Sequence, residues 1–322
     1  MRELLRGPFH HLVILVVVLI LPTTATLADG SYTQIVSFGD SLTDAGNEYA
    51  LTHGGNPLTP PDYGGRHSNG KVWVEQFSDL LGMTPATPNS IGGTNYAYSG
   101  YVISEVVSTV TDYLDDVDGT ADPDALYTIW AGGNDFKDVF LSTNLLANLL
   151  TLPDSVNGWA DDISGIVSTL HDAGARHFLV LNLFPLGDAP IGSTVGSLIP
   201  GLPERFNGYV GDFNTRLALD LESLAGSDST YDIKTLDTFA LFERVIADPT
   251  AYGIENVTGR AEQVSDAEAS KYLFWDLVHP TTVGHGFVAN AAAAVVVPEP
   301  SMIALLATLM GSLLFYVYRR RR

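Results

Sequence analysis

The 322-residue chain reads as one α/β domain, a parallel sheet covered by helices on both faces, carried between two apolar terminal segments. Apolar runs of strand length, rich in β-branched and aromatic residues, alternate with stretches of helical spacing. No repeat or long linker breaks that alternation, so one domain accounts for about residues 30–297. Such alternation calls for a parallel sheet, because helical crossovers cover both of its faces.

Taken in order, strands are expected at Gln34–Phe38, Asn95–Tyr98, Ala125–Ala131, His177–Asn182 and Tyr231–Leu236. Helical spacing marks Val72–Leu81, Ile103–Leu114, Val156–Ala173, Arg205–Leu224, Phe239–Ala247 and Thr281–Ala294. The stretches His53–Gly70 and Leu186–Pro203 lack periodicity and read as surface loops of the kind that shape binding sites. Val139–Leu152, with Leu141, Leu145, Leu146, Leu149 and Leu150, reads as a helix packed on the core, with a mobile apolar flap as the alternative.

The two ends are of a different kind. Arg2 and Arg6, the apolar run Leu12–Leu21, and the small residues Thr26 and Ala28 have the order of a secretory signal peptide, residues 1–28. At the other end, no residue from Ser301 to Tyr318 is charged, and Arg319–Arg322 follow. That length is the lower limit for a membrane-spanning helix, and the arginines place its far end in the cytoplasm. Pro298-Glu299-Pro300 ahead of that helix resembles the PEP-CTERM sorting signal of Gram-negative bacteria. The resemblance implies a temporary anchor over residues 298–322, cut by an exosortase, with a permanent single-pass anchor as the alternative. Signal peptidase and exosortase are then the processing partners, and the domain at 29–297 lies in the periplasm, at the cell surface or in the extracellular matrix.

The net charge is −21, and residues 29–297 alone hold 10 basic and 35 acidic groups, or −25. A nucleic-acid partner is excluded, since phosphate backbones are bound by clustered Lys and Arg. With no cysteine there is no disulfide, thiolate metal site or cysteine nucleophile. No Gly-x-Ser-x-Gly elbow and no His-Glu-x-x-His occurs, and Gly65–Val72 lacks the final Ser or Thr of a P-loop.

In an open parallel sheet, ligands gather beyond the carboxyl ends of the strands. The first strand runs into Gly39-Asp40-Ser41-Leu42, the second into Ser99-Gly100, and the third into Gly132-Gly133-Asn134-Asp135. Near the end of the chain stands Asp276-Leu277-Val278-His279-Pro280. A hydroxyl, an imidazole with a carboxylate three residues before it, a carboxamide and closely approachable backbone N–H groups are the parts of an acyl-transfer site.

Those segments resemble, in order, four blocks of the GDSL, or SGNH, esterase and lipase family. They are Phe38-Gly39-Asp40-Ser41-Leu42 with Thr43–Asn47, Gly93–Gly100, Gly132–Asp135, and Asp276–Pro280. His67–Trp73 and Leu181–Gly187 also look similar, so the resemblance covers about Gln34–Asn290. It implies a flavodoxin-like three-layer α/β/α sandwich with a central parallel sheet, no cofactor and no metal. It further implies Ser41 as nucleophile, His279 as base and then acid, and Asp276 as its orienting carboxylate. The oxyanion hole would be the Ser41 and Gly100 N–H groups with the Asn134 amide; Gly100 is preferred to Gly92 and Gly93 because it follows the strand end. Tyr101 and Val102 stand where related sequences often have a further glycine, which would narrow the pocket.

The expected function is therefore an exported serine esterase or lipase acting on acyl, aryl or acetyl esters. A polysaccharide O-acetylesterase and a non-catalytic surface or matrix protein on the same fold are the alternatives. Asp40 and Asp135 are expected to brace turns by accepting backbone N–H groups. His285 should be a packing or surface residue on the last helix, and His53, His67, His171 and His177 loop or surface residues.

Overall fold

The computed structural model describes residues 32–52 and 63–297, all within one compact unit. The expected signal peptide and sorting signal, residues 1–28 and 298–322, lie outside the described residues. Among those that are described, no helix is long and apolar enough to cross a membrane.

The chain forms β1 (Ile35–Gly39), α1 (Asn47–Leu51), α2 (Trp73–Leu81), α3 (Ile103–Asp116) and β2 (Leu126–Trp130). There follow α4 (Gly133–Phe140), α5 (Leu145–Asp172), β3 (His177–Leu181), α6 (Pro190–Gly196), α7 (Leu202–Ser227), β4 (Asp232–Leu236) and α8 (Thr238–Ala247). The last part holds β5 (Asn256–Arg260), α9 (Asp266–Ala269), β6 (Tyr272–Phe274) and α10 (Thr282–Val296).

Strands β1 to β4 make a parallel sheet in the order β1-β2-β3-β4, with Ile35, Leu126, His177 and Asp232 in register. Every residue of β1 and of β2 is buried, as a sheet covered on both faces requires. Helices α3, α5 and α7 pack together and α2 packs on α10, giving the expected helix layers on both sides of the sheet. Trp73 of α2 meets Trp130 of β2 edge-to-face at 6.0 Å, and both are fully buried.

One expected strand is not a strand. Asn95–Tyr98 runs parallel to β1 on its outer edge, with Tyr96 N–H donating to Ser37 O at 2.7 Å and Tyr98 N–H to Gly39 O at 3.2 Å. Its outer side, however, is met by mixed partners: Asn47 Nδ2 donates to Asn95 O at 2.7 Å and to Ala97 O at 2.9 Å, Asn89 N–H also donates to Asn95 O, and Asn95 N–H donates to Thr87 O. A buried amide and a single backbone bridge to Pro88 stand in for a next strand and close this sheet edge, which otherwise would expose unpaired backbone groups.

Residues 139–140 end α4 and 145–152 open α5, with a turn at 141–144 between them, so the expected helix is split in two. Pro153 lies inside α5 and removes one helical donor, yet Leu145, Leu149, Leu152 and Val156 keep an inward face through it. The expected loop at Leu186–Pro203 contains the short helix α6, opened by Pro190 at its first turn and anchored by buried Ile191 and Val195.

Asn47→Ala deletes two buried hydrogen bonds at the sheet edge and should cost about 2–4 kcal/mol of stability in denaturant unfolding. Ser108→Ala, on the exposed face of α3, should stay within about 0.5 kcal/mol of the parent.

Candidate active site

The site begins where β1 ends. At Gly39 any Cβ would collide with the Trp130 carbonyl of the neighbouring strand, so only glycine lets the chain turn there. The next four residues wind into a tight turn: Thr43 N–H and Asp44 N–H both donate to Asp40 O, and Leu42 N–H donates to Asp40 Oδ1 at 3.0 Å. Ser41 sits at the crest of that turn, its hydroxyl on the side away from the core.

Asp44 ties this turn to the following segments. Its carboxylate accepts the N–H groups of Gly46, Asn47, Glu48 and Ser99 and the Ser99 hydroxyl, at 2.6–3.2 Å. Asn95 Nδ2 donates to Thr43 O at 2.7 Å, and Trp73 Nε1 donates to the Thr43 hydroxyl at 3.1 Å. The chain entering at β1 and the chain reaching Gly100 are thereby one buried polar unit.

Opposite Ser41 stands the loop between β6 and α10. Trp275 N–H donates to His279 O at 2.7 Å and closes the loop, and Asp276 Oδ1 accepts the N–H groups of Val278 and His279 at 2.9 Å. Asp276 Oδ2 lies 2.7 Å from His279 Nδ1, and His279 Nε2 lies 2.7 Å from Ser41 Oγ. Burial pushes the Asp276 carboxyl up, but the adjacent imidazole and three hydrogen bonds outweigh it and hold the group well below the ordinary carboxylate range. An ionised Asp276 can only accept, so Nδ1 carries the ring hydrogen and Nε2 faces the serine as an acceptor.

The loop is fixed from outside by residues 66–76. Arg66 pairs with Glu75 through two bonds of 2.6 Å. Ser68 Oγ donates to Pro280 O at 3.0 Å, Asn69 Oδ1 accepts Thr282 N–H at 2.8 Å, and Gln76 Nε2 donates to Thr282 O at 2.9 Å. His67 rides on this frame and packs its ring against His279, centroids 4.8 Å apart. The expectation of a surface His67 is therefore corrected: it is buried beside the imidazole of His279, because the Arg66 and Ser68 anchors on either side draw it inward. Its place at the start of the supporting stretch His67–Trp73 was the one available signal. His171 is also buried, stacked on Tyr231, whereas His177 is half-exposed and pairs with Asp232. His285 packs inside α10 with neither ring nitrogen bonded, and His53 lies outside the described residues.

Asn134 enters from the first turn of α4, after Gly132 at φ 112°. Its Nδ2 donates to Tyr101 O at 2.9 Å, and Asp135 Oδ2 accepts Ile103 N–H at 3.0 Å. Two neighbouring side chains of α4 thus brace the segment that carries Gly100, which stands at φ 88° with open space around its Cα. The Tyr101 ring stacks on Tyr98 at 5.1 Å. Between these groups lies a small pocket of about 20 Å³, lined by Ser41, Asn134, Lys137 and His279 and walled by Leu42, Phe184, Leu186 and Val278. A larger groove of about 530 Å³ between α7 and β3–β4 shares none of these residues. Gly100 is absent from the pocket wall.

The model of one protein family, GDSL-like Lipase/Acylhydrolase, matches residues 35–292. The chain belongs to this family. Among curated relatives of the GDSL protein, a phosphatidylcholine-sterol acyltransferase of Aeromonas hydrophila is 26% identical over 85% of this chain and 93% of its own. A GDSL esterase/lipase of Arabidopsis thaliana is 27% identical over 88% of this chain and 97% of its own. Of solved structures, a lipase from a goat rumen metagenome aligns at 17% identity and a TM-score of 0.48, over 82% of this chain and 97% of that one.

Buried titratable groups surround the pocket of the GDSL protein. Desolvation, with the neighbouring His279 adding to it, pushes His67 down to about 3, so its ring stays neutral at ordinary pH. Burial raises Asp40 to about 6 and Asp135 to about 7, against the backbone N–H groups each accepts. His67, Asp276 and His279 also present ligand atoms within 4.8 Å of one another. Two of the three, Asp276 and His279, are already hydrogen-bonded to each other.

A carboxyl raised on folding holds its proton between about pH 4 and 7, where the unfolded chain has lost it. Its stabilising contribution is complete below about pH 4 and is lost as pH rises through about 7. Asp135→Asn keeps an acceptor for Ile103 N–H and removes that loss. The thermal midpoint of the variant relative to the parent should therefore climb by roughly 3–6 °C between pH 4 and 8; a difference that stays level would refute the raised Asp135.

Proposed function

We propose that this GDSL protein is an exported carboxylic-ester hydrolase of the esterase or lipase type, working through an acyl-enzyme on Ser41 without a cofactor. The observation that carries the reading is the line from Ser41 Oγ to His279 Nε2 and from His279 Nδ1 to Asp276, 2.7 Å at each link, joining residues 238 positions apart. Serine is a weak nucleophile until a positioned base takes its proton. Here the imidazole is turned so that Nε2 receives that proton as Oγ attacks the ester carbonyl. Asp276 holds the tautomer and stabilises the imidazolium.

The tetrahedral oxyanion needs donors already aimed at it. Ser41 N–H and Gly100 N–H make no hydrogen bond among the described residues, and Asn134 Nδ2 has a second hydrogen beyond the one given to Tyr101. These three are the proposed oxyanion hole. Collapse of the intermediate breaks the ester C–O bond, and the leaving alcohol takes the proton from Nε2. Water then attacks the acyl-serine, gives its proton to Nε2, and the acid leaves as Ser41 regains the hydrogen.

The apolar wall of Leu42, Phe184, Leu186 and Val278 suits an acyl or aryl group over a charged one. A relative named for acyl transfer from phosphatidylcholine supports acyl esters of lipids as the substrate class. Residues 1–28 and 298–322 are read as removable export and sorting segments, cut by signal peptidase and exosortase, around a working domain of 29–297.

A fluorophosphonate probe should label the parent protein, and Ser41→Ala should abolish labelling and lower ester hydrolysis by about 10⁴-fold or more; labelling that survives the substitution overturns the nucleophile. Among p-nitrophenyl esters, rates should hold or rise as the acyl chain lengthens, whereas a confinement to acetate would favour the O-acetylesterase. Mass spectrometry of the protein recovered from its surface should find a C-terminus near Pro298, and an intact Arg322 there would exclude processing.

A further inference from the structure

Two stretches on this acidic domain carry no charge at all. Residues 139–153 and 189–203 lack any Asp, Glu, Lys or Arg, although residues 29–297 hold 35 acidic groups. The fold brings the two together: the α4–α5 turn and the α6–α7 turn meet at a groove of about 390 Å³ lined by Leu145, Leu149, Ile199, Leu202 and Arg205. Around it Leu141, Leu150, Leu198 and Ile199 are 59%, 79%, 78% and 46% exposed. Scattered exposed leucines are ordinary, but a cluster of four on adjoining turns is the mark of an interaction face.

This face is continuous with the active site. Helix α4 starts at the pocket, with Asn134 and Lys137 on its wall, and ends at Leu141 after eight residues, a length of about 12 Å. Helix α6 is fastened at its start to the loop bearing His279, since Ile191 N–H donates to Leu277 O at 2.8 Å, and it too runs out to the tip. The charges at the border are of one useful kind. Lys137 borders the pocket and donates to Asn134 Oδ1, whereas Arg205 borders the groove and forms no ion pair among the described residues, in a domain where basic groups are outnumbered more than three to one.

We propose that the α4–α5 and α6–α7 turns form a docking face for a zwitterionic phospholipid surface, with the leucines entering the acyl layer and Arg205 meeting headgroup phosphates. A protein partner for so acidic a domain would more naturally use its charge. An anionic membrane is repelled by the −25 background, while a zwitterionic one presents phosphates without net charge. Burying apolar side chains at the interface then supplies the attraction. The face rests on the proposed ester hydrolysis only for the kinetic half of its test.

The chain has no cysteine, so a single introduced thiol reports one site cleanly. In the full chain, an environment-sensitive fluorophore on Leu150→Cys or Leu198→Cys should shift to the blue and become shielded from an aqueous quencher with phosphatidylcholine vesicles. The same label on Leu219→Cys, also exposed but about 25 Å further along α7, should not. Because all three proteins share the same C-terminal apolar segment, anchoring by that segment cannot produce the difference. Equal responses at positions 198 and 219, a shift at 198 without vesicles as protein concentration rises, or a response only to phosphatidylglycerol would each overturn the proposal. The binding half can be run on Ser41→Ala, so it stands or falls apart from catalysis. In the active protein, Leu150→Glu with Leu198→Glu should leave p-nitrophenyl acetate hydrolysis within about twofold. The same pair should reduce hydrolysis of long-chain esters held in phosphatidylcholine vesicles at least about tenfold; equal loss on both substrates would count against a docking role.

Discussion

The buried carboxylate of Asp44 is the interaction on which the site depends. It gathers five donors from two segments that are separated by half a hundred residues, and none of those donors has another partner in the sheet. Burial of an acidic group is costly unless it is fully hydrogen-bonded, and here every lone pair is used. The consequence is that the turn holding Ser41 and the strand-like edge leading to Gly100 cannot move independently. Burial still raises the Asp44 carboxyl, the N–H groups and the Ser99 hydroxyl pulling the other way, so the cost of the arrangement is visible in the group itself.

The imidazole is positioned by a different logic. Its loop follows the short β6, which pairs with β5 and through Phe274 bridges Pro280, and among the described residues does not join the main sheet. Stiffness comes from the side: the segment after Arg66 reaches across with Ser68, Asn69 and Gln76 to bind the backbone of Pro280 and Thr282. At Gly70 a Cβ would sit 3.0 Å from the Thr282 hydroxyl, so even the spacing between the two segments is set by a missing side chain. Preorganised groups of this kind lower the reorganisation needed at the moment of reaction.

How far the sequence could be read follows from the physics of each part. Strands β1 to β3 were legible because they are buried on both faces or nearly so, and continuous apolar runs such as Ile35–Phe38 and Leu126–Trp130 leave little else for them to be; β4, at the sheet edge, is buried only at Leu236. Asn95–Tyr98 was also expected as a strand, but its outer side is met by the amide of Asn47, 48 positions away, and by the backbone of residues 87–89. Helix α5 was expected to start after Pro153, and packing of Leu145, Leu149 and Leu152 carried it through the proline. Ser41, Asn134, Asp276 and His279 were identifiable because their blocks are local in the sequence. His67 was not, since nothing near it shows that the ring would be carried to His279 by bonds made at Arg66 and Ser68. The termini lie beyond the described residues, so their reading rests on composition alone.

Charge placement around the pocket gives the site its last constraint. In a domain of −25, a second negative charge developing beside Ser41 would ordinarily meet carboxylates on several sides. Asp40 lies in the turn itself, on the pocket wall, and Asp135 stands next to Asn134. Burial raises both, so they give up their protons only at about 6 and about 7. Asp276 goes the other way, held in its charged form by the imidazole and the backbone N–H groups it accepts. Negative charge is therefore favoured on the carboxylate that faces the ring, where an imidazolium would form, and disfavoured by burial on Asp40 and Asp135. Two environments push otherwise identical side chains apart, and the direction of each push is the one that an acyl-transfer reaction on Ser41 requires.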